Sequence, residues 1–126
     1  MTTIGEYRQI DETHVTRLLR ELGGDVRAGV RFIRDFVAAW DWRVARLLDA
    51  AERQDPEDVM TVLLSVRSSS AMLGATALSL AALDLQDELT RTRSVDRSAV
   101  LRFIDAGTAA CTELAALARK LESAEV

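Results

Sequence analysis

Few side chains in this chain could do covalent chemistry. Of its 126 residues, one is a histidine, His14, and one is a cysteine, Cys111. Zinc sites of the usual kind and catalytic arrangements of the Cys-His or Ser-His-Asp type need several such side chains together, and this chain has too few histidines and cysteines to build them. Gly23-Gly24 is followed by no lysine, and the chain has neither a GxGxxG nor a Walker loop. The sequence therefore offers no catalytic constellation.

Three carboxylates cluster at Asp84, Asp87 and Glu88. They would lie on a single helix, whereas cation sites usually take ligands from a second element as well. We interpret this cluster as a solvated acidic face and expect neither a metal nor another cofactor. Cys111 follows apolar residues at helical spacing, which indicates a buried and unreactive thiol.

The most informative stretch is LLSVRSSSAMLGA, residues 63–75. On a helical wheel of about 100° per residue, one side of the predicted helix that contains this stretch must face a core. That side contains Val59, Val62, Leu63, Val66, Ser70 and Leu73. A second set points away from it or leads round from its edge, and we call it the Leu64 patch: Met60, Leu64, Arg67, Ser68 and Ala71. Exposed apolar patches are typical of partner-binding surfaces.

Helices must position this patch, because the chain has one proline, six glycines and little β-type alternation. We predict a short leading helix over 12–22, ended by Gly23-Gly24. Four long helices should follow. The first three cover 25–54, 55–73 and 75–91, and the fourth runs from a cap at Ser94 or Asp96 to Glu122. The sequence thus predicts an all-α fold, an antiparallel four-helix bundle with a short additional N-terminal helix, as a single domain over 1–126.

The two longest helices carry apolar residues at alternating spacings of four and three. In the first of them the stripe is Val26, Val30, Ile33, Val37, Trp40, Val44, Leu47 and Ala51. Such a stripe packs nearly parallel to a neighbouring helix. The small residues Gly107 and Cys111 on the last helix should let a neighbouring helix, or a bulky tryptophan, approach closely.

Charge and hydropathy narrow the classes of partner. The net charge is −4, and the 16 basic residues are dispersed among carboxylates, so we expect no nucleic-acid partner. No uninterrupted apolar run is long enough to span a bilayer, and we expect no membrane association. A single cysteine favours a reducing compartment, which makes a cytoplasmic location the expectation.

The run LSVRSSSAMLGA, followed by TALSLAALDLQDEL, resembles the histidine-containing phosphotransfer (HPt) domain. In that family a helix carries a motif of the type His-x-x-Lys-Gly-Ser, followed by Leu-Gly-Ala, a further Leu and later a Leu-Glu pair. Leu64 stands at the position of the phosphorylatable histidine, Arg67 at that of the lysine and Ser68 at that of the glycine. The other matches are Ser69, Leu73-Gly74-Ala75, Leu78 and, for the Leu-Glu pair, Leu85-Gln86.

The resemblance implies a function that the substitutions have altered. The family passes a phosphoryl group between an imidazole nitrogen and an aspartate of a response-regulator receiver domain, and leucine has no lone pair to offer. Ser65 and Ser68 are poor substitutes, because their hydroxyls have no base nearby and a phosphoserine ester is too stable to act as a relay donor. We expect no phosphotransfer, and a receiver domain bound at the Leu64 patch with its acidic pocket near Arg67.

Two other interpretations stay open at this point. Met60 and Leu64 could pack against the leading helix or form a dimer seam, which would make the chain a structural, dimerising bundle without signalling chemistry. Residual phosphorylation would have to use His14, which lies outside the motif and is expected to be an ordinary surface histidine.

Overall fold

Four long helices make up the computed structural model, which describes residues 17, 19–21 and 23–125. They are α1 (Val26–Glu52), α2 (Pro56–Met72), α3 (Thr76–Thr92) and α4 (Arg97–Glu125). Helix α1 packs against α2 and α4, and α3 packs against the same two helices, so the four form a closed ring around one core. The short connections make successive helices antiparallel. The predicted all-α bundle is confirmed.

Local sequence signals place the ends of these helices. The side-chain Oδ1 atoms of three aspartates accept hydrogen bonds from nearby backbone N–H groups: Asp25 from Ala28 (3.2 Å), Asp55 from Asp58 (3.1 Å) and Asp96 from Ser98 (2.9 Å). Between α2 and α3 the chain turns at Gly74, whose φ of 73° suits glycine. The predicted caps at Asp25 and Asp55 are confirmed, and of the two candidates before α4, Asp96 is the cap.

The predicted leading helix lies mostly outside the described residues, as does His14. Residues 17 and 19–21 are helical, and the chain then turns at Gly23 and Gly24, with φ of 71° and 77°. Leu19 packs on α1 at Gly29, where an added Cβ would collide with the leucine side chain. The leading segment is thus anchored to the bundle where it enters α1.

A large aromatic contact joins α1 to α4. The Trp40 ring lies directly on Gly107, where a Cβ atom would overlap it, and its Nε1 donates to Thr108 Oγ1 (3.2 Å). Phe36 and Phe103 flank the tryptophan, with ring centroids 6.3 and 6.1 Å away. The predicted close approach of a tryptophan to the last helix is confirmed at Gly107.

The buried side of α1 differs in part from its predicted stripe. Phe36 and Ala50 are buried, although the stripe omitted them, whereas Val30, Val37 and Val44 are only partly buried. The reason is that α1 has two neighbours, so its buried side is centred between α2 and α4. None of the described helices combines the length and apolarity that a bilayer crossing requires.

A side-chain clamp ties together the two turns at one end of the bundle. Gln54, in the turn between α1 and α2, donates from Nε2 to Val95 O (2.9 Å) and accepts at Oε1 from Val95 N (3.1 Å). Val95 belongs to the turn between α3 and α4. Gln54 holds this geometry with a left-handed φ of 52°.

Candidate functional site

The structure brings the whole Leu64 patch together on the outer side of α2. Leu64 has 53% of its surface exposed, and Arg67, Ser68 and Ala71 are exposed as well. Met60 is half-buried and packs against the core edge. The opposite side of the helix is buried as predicted, through Val59, Val62, Leu63, Val66, Ser70 and Leu73. The periodicity therefore gave the correct sides of α2, and the binding role of the patch stays a prediction.

Arg67, the one positive charge of the patch, is held in place by α3. Its Nη1 donates to Gln86 Oε1 (3.1 Å), and Gln86 is buried, with 5% of its surface exposed. The carbonyl of Arg67 also accepts from Ser79 Oγ (3.4 Å). The guanidinium one turn after Leu64 is thus oriented by a buried amide.

The three consecutive serines of α2 lie in three different environments. Ser68 is exposed, Ser69 is half-buried and Ser70 is fully buried. The buried hydroxyl is satisfied, since Ser70 Oγ donates to Arg67 O (3.2 Å). Of the three serines, Ser68 is thus the one that is exposed on the outer side of α2.

A second guanidinium reaches α2 from α1, beside Leu64. Arg43 Nη2 donates to Ser65 Oγ (3.0 Å), and the guanidinium carbon lies 5.4 Å from the centroid of the Phe36 ring. Its Nη1 is buried and, among the described residues, has no hydrogen-bond partner. Burial lowers the pKa of Arg43. This contact fixes Ser65, the neighbour of Leu64, against α1.

An ion-pair network sets the start of α2 against the end of α1. Arg46 donates from Nε (2.9 Å) and Nη2 (2.6 Å) to Asp58 Oδ1, while Arg53 Nη2 donates to Asp58 Oδ2 (2.8 Å). These hydrogen bonds, first of all that from Arg46, lower the pKa of Asp58. Arg53 also bonds Asp49 and Asp55, and the three carboxylates raise its pKa. The network helps to fix the rotation of α2 and so the direction of Leu64.

The described side chains offer the Leu64 patch no strong nucleophile. Its only hydroxyl belongs to Ser68. Cys111 lies on α4 with 8% of its surface exposed, and burial raises the pKa of its thiol to about 11. The prediction of a buried cysteine is confirmed, and a thiol with that pKa is protonated at neutral pH.

The acidic cluster lies on α3, away from the patch. Asp84 and Glu88 line a groove of about 210 Å³ between α3 and α4, together with Arg102. Asp87 is exposed. No group of three or more possible ligands that could hold a metal ion occurs in the described part of the chain.

The sequence did not predict the side chains that orient the patch. From the sequence, Gln86 was given only a position in the motif. Its place beside the apolar stripe of α3 nevertheless indicates a buried amide, and a buried amide needs a hydrogen-bond partner. The contact of Arg43 could not be predicted from the sequence, because it depends on which residue of α2 lies opposite Arg43 in the folded bundle. The exposed Trp42 of α1, with 61% of its surface accessible, was also missed.

The fold matches that of a solved HPt domain. The crystal structure of the HPT domain from an Hpt sensor hybrid histidine kinase of Shewanella aligns with a TM-score of 0.74 at 10% sequence identity. The alignment covers 90% of this chain and 97% of that domain. No protein-family model and no curated protein matches the sequence. At this identity the likeness concerns the fold, and the chain has the HPt-like helical-bundle fold.

Proposed function

We propose that this chain is an HPt-like domain of a phosphorelay that binds a response-regulator receiver domain through the Leu64 patch without carrying a phosphoryl group. The observation that supports this proposal is the position of Leu64. A large apolar side chain with 53% of its surface exposed stands at the motif position of the phosphoacceptor histidine, in a chain with the HPt-like fold.

The loss of phosphotransfer follows from the atoms available at the patch. A phosphoacceptor must offer a lone pair to phosphorus, and the leucine side chain has only carbon and hydrogen. Ser68, one turn further along α2, is flanked on the helix surface by Leu64, Ser65, Ala71 and Met72, none of which is a base that would take its proton. Ser68 in place of the motif glycine also puts a side chain beside position 64 and narrows the approach to it.

Receiver binding does not require that chemistry. Leu64 and Ala71 offer an apolar surface with small neighbours, and burying it on a partner is favourable. Arg67 lies on the same side of α2, already oriented by Gln86, so little side-chain entropy is lost when it meets an acidic pocket. A receiver domain has such a pocket around its phosphorylatable aspartate. The chain would then compete with a true transfer domain or sequester a regulator.

Binding to receiver domains tests this proposal. We expect isothermal titration calorimetry with the receiver domains of the host's response regulators to find a partner, and Leu64→Asp to raise its Kd about tenfold or more. Leu80→Asp is the matched control, because Leu80 is 57% exposed on α3 and the same charge there should leave binding unchanged. If none of the receivers binds, or if both variants lose binding equally, the proposal is wrong.

Phosphate transfer is measured in the same mixtures. The natural chain should acquire no acid-labile, base-stable phosphate from a phosphorylated receiver, whether at Leu64, which lacks an acceptor atom, or at His14. Phosphate that is held covalently and then moves to a receiver aspartate would contradict the proposed loss of chemistry.

A further inference from the structure

Helix α1 has an exposed stripe on the side that faces away from the core. Its residues follow one another at spacings of 4, 3, 4, 3 and 4, and all six are exposed: Arg31, Asp35, Ala38, Trp42, Ala45 and Asp49. We call them the α1 stripe. Alternating three- and four-residue spacing is the pattern with which one helix packs along another. Since α2 and α4 pack on the other sides of α1, this stripe has no partner helix among the described ones.

A tryptophan near the centre of the α1 stripe lies against an arginine side chain. Trp42 has 61% of its surface exposed, and the guanidinium carbon of Arg46 lies 5.6 Å from the centroid of its ring. Arg46 is itself held by two hydrogen bonds to Asp58. An exposed tryptophan with small neighbours at Ala38 and Ala45 has the composition of a protein-binding hot spot, and the contact with Arg46 restricts its rotamers before binding.

We propose that the α1 stripe binds the α1 stripe of a second copy of this chain, with the two helices antiparallel. In one register, each residue of the stripe lies opposite a stripe residue of the second copy, and the two residue numbers of every facing pair sum to 80. Trp42 then lies on Ala38 of the second copy, and Arg31 lies opposite Asp49 of the second copy. A two-fold axis repeats both contacts, so the interface has two tryptophan contacts at its centre and two ion pairs at its ends.

Charge complementarity selects this arrangement over its alternatives. Parallel helices in register would put Arg31 against Arg31 and Asp49 against Asp49. An antiparallel register centred on Trp42 would put Arg31 against Arg53 and Asp35 against Asp49, again with like charges opposed. Asp49 accepts from Arg53 through Oδ2, and a carboxylate has a second oxygen for another donor.

This interface is separate from the Leu64 patch. Arg67 of the patch bonds Gln86 on α3, whereas Arg46 beside the stripe bonds Asp58 on the other flank of α2. The dimer thus goes beyond the proposed function and needs no receiver. It also differs from the dimer seam at Leu64 considered from the sequence.

Sedimentation velocity of the full chain over a wide concentration range tests the dimer. We expect the natural chain to dimerise and Trp42→Asp to raise the dimer dissociation constant more than tenfold. Leu64→Asp and Leu80→Asp, with the same charge introduced at exposed leucines elsewhere, should dimerise like the natural chain. A natural chain that stays monomeric up to several hundred micromolar, or a dimer that Leu64→Asp dissociates and Trp42→Asp does not, would overturn the proposal.

Charge reversal tests the register without removing the tryptophan. Arg31→Asp and Asp49→Arg should each weaken the dimer about tenfold, because each turns two attractive contacts into two repulsive ones. The double variant should regain most of the affinity. Within one chain these residues are 18 positions apart, or about 27 Å along α1, so the recovery can arise only between chains. A double variant as weak as the two single ones would contradict this register.

Discussion

At the scale of single residues, the proposed loss of phosphotransfer depends on the nature of one side chain. Leu64 occupies an exposed place on the outer side of α2, and Arg67 one turn later is fixed by Gln86. On the proposed function, the surroundings of a phosphoryl acceptor are partly retained around a side chain that cannot accept. If the proposal is right, two features separate this patch from an active one: the atom at position 64 and the bulk at position 68.

Rebuilding the acceptor tests that view. We predict that Leu64→His combined with Ser68→Gly will accept phosphate from a phosphorylated receiver domain, because a neutral imidazole is nucleophilic near pH 7 and the glycine reopens the approach. Labelled phosphate that is stable to base and labile to acid would be measured on the protein. The natural chain and Leu80→His, which places a histidine at an exposed leucine on another helix, serve as controls. A folded double variant that takes phosphate from none of the receivers would limit the likeness to architecture.

How far the site could be predicted depends on the range of the interactions. The exposure of Leu64 and the burial of Ser70 follow from helical periodicity, which is a local property, and both were predicted. The partners Gln86 of Arg67 and Arg43 of Ser65 depend on which helices are neighbours and at what height they face each other. No local pattern contains that information, so these side chains emerged only from the structure.

At the scale of helices, the helix caps could be predicted from local sequence, whereas the contacts between distant segments could not. Asp25 and Asp55 each bond an N–H group three residues later, so the sequence could place them. The Gln54 clamp spans 41 positions, and the Asp58 network also depends on two helices meeting. These longer contacts determine how α2 is rotated against α1 and where the Leu64 patch points.

The contribution of Asp58 should appear as a pH dependence of stability. Its pKa in the folded state lies below the ordinary value because Arg46 and Arg53 bond the carboxylate. The stabilisation is therefore present above the unfolded pKa of about 4 and is lost as pH falls through the lower folded value. We predict that Asp58→Asn lowers the free energy of unfolding by about 1 kcal/mol at neutral pH, as for a partly exposed pair.

Urea unfolding at a series of pH values, at one protein concentration, measures this difference. The gap between the natural chain and Asp58→Asn should narrow as pH falls below about 4 and close once Asp58 is protonated in both states. Asp87→Asn, at an exposed carboxylate of α3, is the control for removing one negative charge elsewhere in the molecule. A gap of the same size at neutral and at strongly acidic pH would show that the lost stability does not come from the charge of Asp58.

At the scale of the whole molecule, the two proposed binding surfaces lie on adjacent helices of the ring, α1 and α2. The α1 stripe has a large aromatic residue at its centre and opposite charges towards its ends, and the Leu64 patch has a leucine beside an oriented arginine. The Asp58 network and the bond from Arg43 to Ser65 lie between them and hold α1 and α2 together. A dimer formed through the stripe would thus present two copies of the patch.

If the surfaces are separate, changing one should leave the other unaffected. Arg31 lies 12 positions before Arg43, the residue that reaches α2 beside Leu64, or about 18 Å along α1. Energetic effects of positions this far apart, without shared partners, usually add. We therefore predict that Arg31→Asp, which weakens the dimer, changes the receiver Kd by less than about twofold.

Titration calorimetry should also find one receiver per chain for the natural chain and for Arg31→Asp. The Arg31→Asp, Leu64→Asp double variant should lose receiver binding as Leu64→Asp alone does. Tighter receiver binding by Arg31→Asp would instead mean that the dimer covers the patch, because removing a competing contact exposes the site.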